Sequence, residues 1–209
     1  MNRITLMLFT VAAIISVSLY GMWFKMGNSS APVQTNTCVA SKQLAASLRP
    51  LSTGEVAGVL IPTEPKIVPD LAFLAPDGMP RTLSSMRGKV LLVNLWATWC
   101  APCRKEMPAL DSLQAELGGV DFEVVAISID QRNLDKPKAF LQEIGVSRLA
   151  YYSDPTAKIF QELKAVDKAF GMPTTLLIDK NGCELGYLAG PAEWFSPDAI
   201  KLVKAALGK

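Results

Sequence analysis

The stretch Leu91–Leu110 reads LLVNLWATWCAPCRKEMPAL, and its two halves have different periods. Lys89–Trp96 is an almost unbroken apolar run, the pattern of a strand buried on both faces. From about Ala101 to Leu117 the apolar residues recur at helical spacing, with Leu110, Leu113 and Leu117 on one face and Gly118-Gly119 as the stop. Cys100 and Cys103 sit at the junction. The first unpaired N–H groups of a helix and the positive end of its dipole stabilise a thiolate there. They can lower a cysteine pKa from about 8.5 into a range of about 3.5–7.5. An exposed thiolate attacks a disulfide, and a second cysteine one turn inward resolves the mixed disulfide. Pro102 suits the first turn, where a missing N–H removes no bond.

Outward from this junction, strands and helices alternate. Leu71–Ala75 reads as a short strand before a Pro76-Asp77-Gly78 turn, and Thr82–Met86 as a short element closed by Gly88. Phe122–Ile129 is a second buried strand, Lys136–Ile144 a helix and Leu149–Tyr152 a third strand. Thr156–Lys164 begins another helix. Thr174–Ile178 and Glu184–Leu188 form a hairpin about Lys180-Asn181-Gly182, and Pro197–Leu207 closes the chain as a helix. The order predicts an α/β fold with a mixed central sheet, parallel where helices cross over, and helices on both faces.

The flanks are different in kind. Ile4–Phe24 holds 21 residues without a charge, which as a helix spans about 31 Å, the thickness of a bilayer core. It predicts one N-terminal transmembrane helix. The alternative is a cleaved signal peptide, which has a shorter apolar region and a small-residue exit where this chain has YGMWFKM. Residues 26–37 are small and polar and read as a tether. Residues 38–69 read as an extension, with a helix near Val39–Arg49 and then a connector punctuated by Pro62, Pro65 and Pro69. The divisions are thus an anchor over 1–25, a tether over 26–37, a helical extension over 38–69 and a folded domain over 70–209.

Composition excludes whole classes of chemistry. The 209 residues include no histidine, so no Ser-His-Asp or Cys-His nucleophile is available, nor a His-ligated metal or haem. The net charge of +2 equals the two basic residues flanking the apolar segment, Arg3 and Lys25. The balanced remainder predicts no nucleic-acid binding. Mean hydropathy of +0.25 partly reflects the same segment. One CxxC without a second pair or histidines argues against zinc, and Arg104 stands where c-type haem attachment needs histidine. No metal and no cofactor are expected. A peroxide-reducing cysteine in the pattern P-x-x-x-[ST]-x-x-C is also not matched, since Val93 and Ala97 occupy the first two places.

LLVNLWATWCAPCRKEMPAL, AFGMPTTLLIDKNG (Ala169–Gly182) and the element order resemble the membrane-anchored thioredoxin-like proteins of the TlpA/ResA/CcmG family, TlpA-type members most, over about residues 68–209. The resemblance implies a thioredoxin-like fold with an N-terminal hairpin and a central β–α insertion at Phe122–Ile144. It implies Cys100 as nucleophile, Cys103 as resolving thiol and Trp99 as the aromatic beside the disulfide. Pro173 is implied as the cis-proline opposite the cysteines. Met172 and Thr174 are implied beside it as substrate-binding residues, the Met172 backbone pairing with a substrate chain. Glu106 matches an acidic residue below the thiols that can relay a proton. Asn94 takes the place of thioredoxin's buried aspartate and cannot titrate.

The resemblance also implies a protein-disulfide reductase held in the cytoplasmic (inner) membrane with its C-terminal domain in the periplasm. A DsbD- or CcdA-type membrane protein recharges it, and its substrates are cytochrome oxidase assembly proteins or apocytochrome c. In such a compartment Cys38 and Cys183 are expected to pair as a structural disulfide; two free thiols or an intermolecular bridge are the alternatives. Two rival functions stay open. One is a protein-thiol oxidant with the same CxxC, since Ala101-Pro102 does not set the potential. The other is a Sco-like copper-binding factor, which has Cys-x₃-Cys and a histidine where this chain has Cys-x₂-Cys and none.

Overall fold

The computed structural model describes residues 38–209. The expected membrane span at Ile4–Phe24 and tether at 26–37 lie outside them. Among the described residues no helix is long and apolar enough to cross a membrane.

Helix α1 (Val39–Leu48) opens the described chain, and two 3₁₀ turns follow it at Arg49–Leu51 and Gly54–Val56. Then come β1 (Ala72–Leu74), β2 (Pro80–Thr82), β3 (Val90–Trp96), α2 (Ala101–Leu117) and β4 (Phe122–Ser128). The remainder is α3 (Lys136–Glu143), β5 (Tyr152–Ser153), α4 (Lys158–Ala165), β6 (Thr174–Ile178), β7 (Glu184–Ala189) and α5 (Pro197–Ala206). The strands form one sheet in the order β2-β1-β5-β4-β3-β6-β7. β3 pairs parallel with β4 over all seven residues and antiparallel with β6. β7 returns antiparallel to β6 as the late hairpin.

The apolar run in β3 is buried because alternate residues serve two cores. Leu92 and Trp96 pack with Met107, Leu110 and Leu113 of α2 and with Leu202 and Val203 of α5. Leu91, Val93 and Leu95 pack on the other face with Ile159 and Leu163 of α4 and with Leu71 and Phe73. α1 joins the α2–α5 face through Ala45 and Leu48.

Phe122–Ile144, expected as a central β–α unit, holds β4, in full register beside β3, and α3. Two sequence expectations are corrected. First, the strand expected at Leu149–Tyr152 shrinks to Tyr152–Ser153. Asp111 of α2 accepts the backbone N–H groups of Ser147, Arg148 and Leu149 at 2.7–3.3 Å, which removes those donors from any ladder. Second, α4 starts at Lys158 rather than Thr156. The Asp154 carboxylate accepts from the Thr156 and Ile159 N–H groups, while Ala157 turns through a left-handed φ of 52°.

Residues after α1 cross the outer edge of β7, through bridges Leu60–Tyr187 and Ile67–Cys183, and so cover an edge strand. Cys38 is bonded to Cys183, 145 positions away in the chain. Nearby, the Ser41 hydroxyl donates to the Asp179 carboxylate, which also accepts from the Cys183 N–H. Register places this bond at the Val90 end of the sheet, since Leu91 pairs with Ile178 and Ile178 with Glu184. The Cys100 end of β3 lies about 20 Å away, the rise of a seven-residue strand.

Candidate active site

Where β3 ends at Trp96, the chain turns through Ala97–Trp99 and enters α2 with Cys100 as its N-cap. Cys100 has extended backbone, and its sulfur accepts the Cys103 N–H at 3.3 Å. Pro102 occupies the first turn, where no donor is lost. Cys100 and Cys103 form a disulfide with Cα atoms 5.3 Å apart. Cys100 is 5% exposed and Cys103 fully buried, so the two sulfurs differ in access. Trp99 beside them is 63% exposed, an apolar platform at the rim.

The Met172–Pro173 peptide bond is cis, and Pro173 is buried. It precedes the rung Leu95–Thr174, at the end of the sheet where Cys100 stands. Met172 is half-buried in the loop before it. Thr174 is fully buried between β3 and β7, and its hydroxyl donates to the Gly171 carbonyl at 2.7 Å. That bond ties its side chain to the loop before Pro173.

Glu106 lies one turn beyond Cys103 and, far from being a solvated helix carboxylate, is 3% exposed. One oxygen accepts from the Asn94 amide at 2.7 Å and the other from the Ala192 N–H at 3.3 Å. The same Asn94 nitrogen donates to the Thr175 hydroxyl at 3.0 Å. Burial pushes the Glu106 carboxyl up to about 7, against the pull of the Asn94 and Ala192 donors. A pocket of about 440 Å³, bounded by Glu55, Pro102, Lys105 and Pro191, reaches Glu106 from the surface. Asn94 thus holds the carboxyl that titrates.

Neither Thr175, which accepts from Asn94, nor the Ala192 N–H, which donates to the carboxyl, was legible as part of this network. A main-chain donor leaves no mark in a sequence, and Thr175 reads only as a strand residue. Helix α3 also reaches the site: Phe140 lies 6.0 Å from the Trp96 ring, and the Arg104 guanidinium sits 4.9 Å above the Phe140 ring.

A CxxC disulfide that opens the helix after a central strand, with a cis-proline at the same end of the sheet, defines a thioredoxin-like protein. The chain belongs to the AhpC/TSA family, whose sequence profile matches residues 66–183. It is 31% identical over 117 residues to the thioredoxin-like protein YneN of Bacillus subtilis, covering 54% of this chain and 64% of that one. It is also 31% identical over 117 residues to the thiol-disulfide oxidoreductase ResA of Geobacillus thermodenitrificans, covering 54% and 62%. The chain therefore matches a little under two thirds of the length of these curated relatives. Among solved structures it resembles a Chlorobium tepidum protein assigned as thiol:disulfide interchange protein DsbE, with 32% identity and a TM-score of 0.57. That match covers 69% of this chain and 97% of the other.

Proposed function

We propose that this protein is a thiol-disulfide oxidoreductase that reduces disulfides in partner proteins, tethered by its N-terminal segment to the cytoplasmic membrane and working in the periplasm. The single observation that carries the chemistry is the unequal CxxC pair. Cys100 is the helix N-cap, with a backbone N–H on its sulfur, while Cys103 lies buried behind it and Glu106 stands one turn on.

In the reduced protein the Cys100 thiolate attacks a substrate disulfide. A new S–S bond joins Cys100 to the substrate, and the departing substrate thiolate takes up a proton. Cys103 then gives its proton to Glu106, whose carboxyl is poised near neutrality to receive it. The Cys103 sulfur attacks Cys100, the mixed disulfide breaks, and the second substrate thiolate leaves. Two electrons have passed to the substrate and the Cys100–Cys103 disulfide remains. Trp99, next to Cys100 in the chain, and the Met172 backbone, at the same end of the sheet, would hold an extended substrate chain.

A membrane reductant-transfer protein of the DsbD or CcdA kind would recharge the disulfide. Cytochrome oxidase assembly proteins or apocytochrome c would be the substrates. This reading rests on the family resemblance and on the apolar Ile4–Phe24 segment.

The test replaces Cys103 with Ser in cells. The Cys100 mixed disulfide should then persist, and its partner can be identified by mass spectrometry. No trapped adduct, with Cys100→Ser giving the same pattern, refutes the exchange mechanism.

A further inference from the structure

We infer that Asp130 is a positioning residue for Cys100, acting through Thr98. This rests on the proposed exchange chemistry and adds a residue from a different strand to it.

Between Trp96 and Ala101 the chain belongs to neither strand nor helix, yet Cys100 must be delivered to the helix N-cap. Two of its backbone links are ordinary. The Ile129 N–H reaches the Trp96 carbonyl at 2.9 Å, and the Cys100 N–H reaches the Ala97 carbonyl at 3.1 Å. Thr98 lies between them, is 5% exposed, and needs two buried polar groups satisfied. Asp130, just past the end of β4 and equally buried, satisfies both. One oxygen accepts the Thr98 N–H at 2.9 Å, and the other accepts the Thr98 hydroxyl at 2.6 Å. The Ser128 hydroxyl donates to the first oxygen at 3.0 Å and accepts the Asp130 N–H at 3.3 Å, which fixes the rotamer.

Three donors converge on one group, and a carboxylate is the side chain that accepts only and has room for them. Bonds to an ionised acceptor are about twice as strong as neutral ones. Among the described residues no lysine or arginine forms an ion pair with Asp130, so its bonding is spent on this turn and on Ser128. Without Asp130 the buried Thr98 N–H has no partner, and the turn must shift to find one. Cys100 then leaves the place where the Cys103 N–H reaches its sulfur, and its thiolate loses that donor.

The readout is alkylation of Cys100 by iodoacetamide in the reduced full-length protein, followed by mass spectrometry across pH 4–10. The Asp130→Ala midpoint should move up by about one pH unit, a tenfold loss of thiolate below the midpoint. Asp130→Asn, which keeps one acceptor oxygen, should recover part of that shift. Thr98→Val keeps the N–H bond and should fall between wild type and Asp130→Ala. A lower melting temperature with an unchanged Asp130→Ala profile overturns the inference, leaving a purely structural carboxylate. If Asp130→Ala does not fold, Asp130→Asn and Thr98→Val profiles superimposed on wild type overturn it equally. The alkylation profile needs no protein substrate. A wild type inert toward disulfides therefore counts against the proposed function, while the profiles still judge Asp130.

Discussion

Glu106 makes the stability of the oxidised protein depend on pH between about 4.5 and 7. The chain has no imidazole, and all four cysteines are held in disulfides. In the unfolded chain Glu106 releases its proton near 4.5; in the folded protein burial holds it until about 7. The raised value means the folded state binds the extra proton. The contribution of Glu106 to stability is therefore fullest below pH 4.5, falls by about 1.4 kcal/mol per pH unit, and levels off above pH 7. The full drop is about 3 kcal/mol, a large share of the 5–15 kcal/mol of a typical domain. Glu106→Gln is neutral throughout and should lack this decline. Its amide nitrogen facing the Ala192 N–H adds a fixed penalty that displaces the curve without tilting it. Urea unfolding of the oxidised proteins at pH 5, 6, 7 and 8 reads the slopes directly. A wild type equally stable at pH 5 and pH 8, or two proteins declining in parallel, would refute the assignment.

Three further outcomes follow from the same contacts. Asn94→Leu removes the 2.7 Å donor that holds Glu106 down, so the upper limit of the pH decline should move above about 7 in the same urea series. The double variant Cys38→Ala, Cys183→Ala should lose up to about 5 kcal/mol, the chain-entropy value for so long a loop, and show a lower melting temperature. Its rate of exchange with a disulfide substrate should persist, because that bond lies at the other end of the sheet from Cys100. Leu110→Ala, in the fully buried seam between α2 and the sheet, should lower stability by about 2–5 kcal/mol by calorimetry.

Legibility in the sequence tracks how local the physics is. β3, β4 and α2 were readable because burial on two faces, or on one helical face, prints a period into consecutive residues. The CxxC at the head of α2 was readable because its chemistry depends on spacing within one turn. The extent of β5 was not, since it depends on Asp111 reaching across from α2 to take three backbone donors. The place of β4 in the sheet was not legible for a related reason: it has the same apolar run whether it lies at the centre or at an edge, and only pairing with β3 tells them apart. At the site, the acidic residue Glu106 was visible but its burial was not, because that comes from Asn94 and the Ala192 loop. Asp130 was silent for the same cause: nothing in a strand-end aspartate says that it grips Thr98.

The Cys38–Cys183 bond fixes where any load on the chain is taken up. A pull on the residues before Cys38 passes through that bond into the β6–β7 turn and never runs through the loop of the catalytic cysteines. Trp99 and Pro173 stand at the opposite end of the sheet from that bond, so covalent load entering at Cys38 bypasses them.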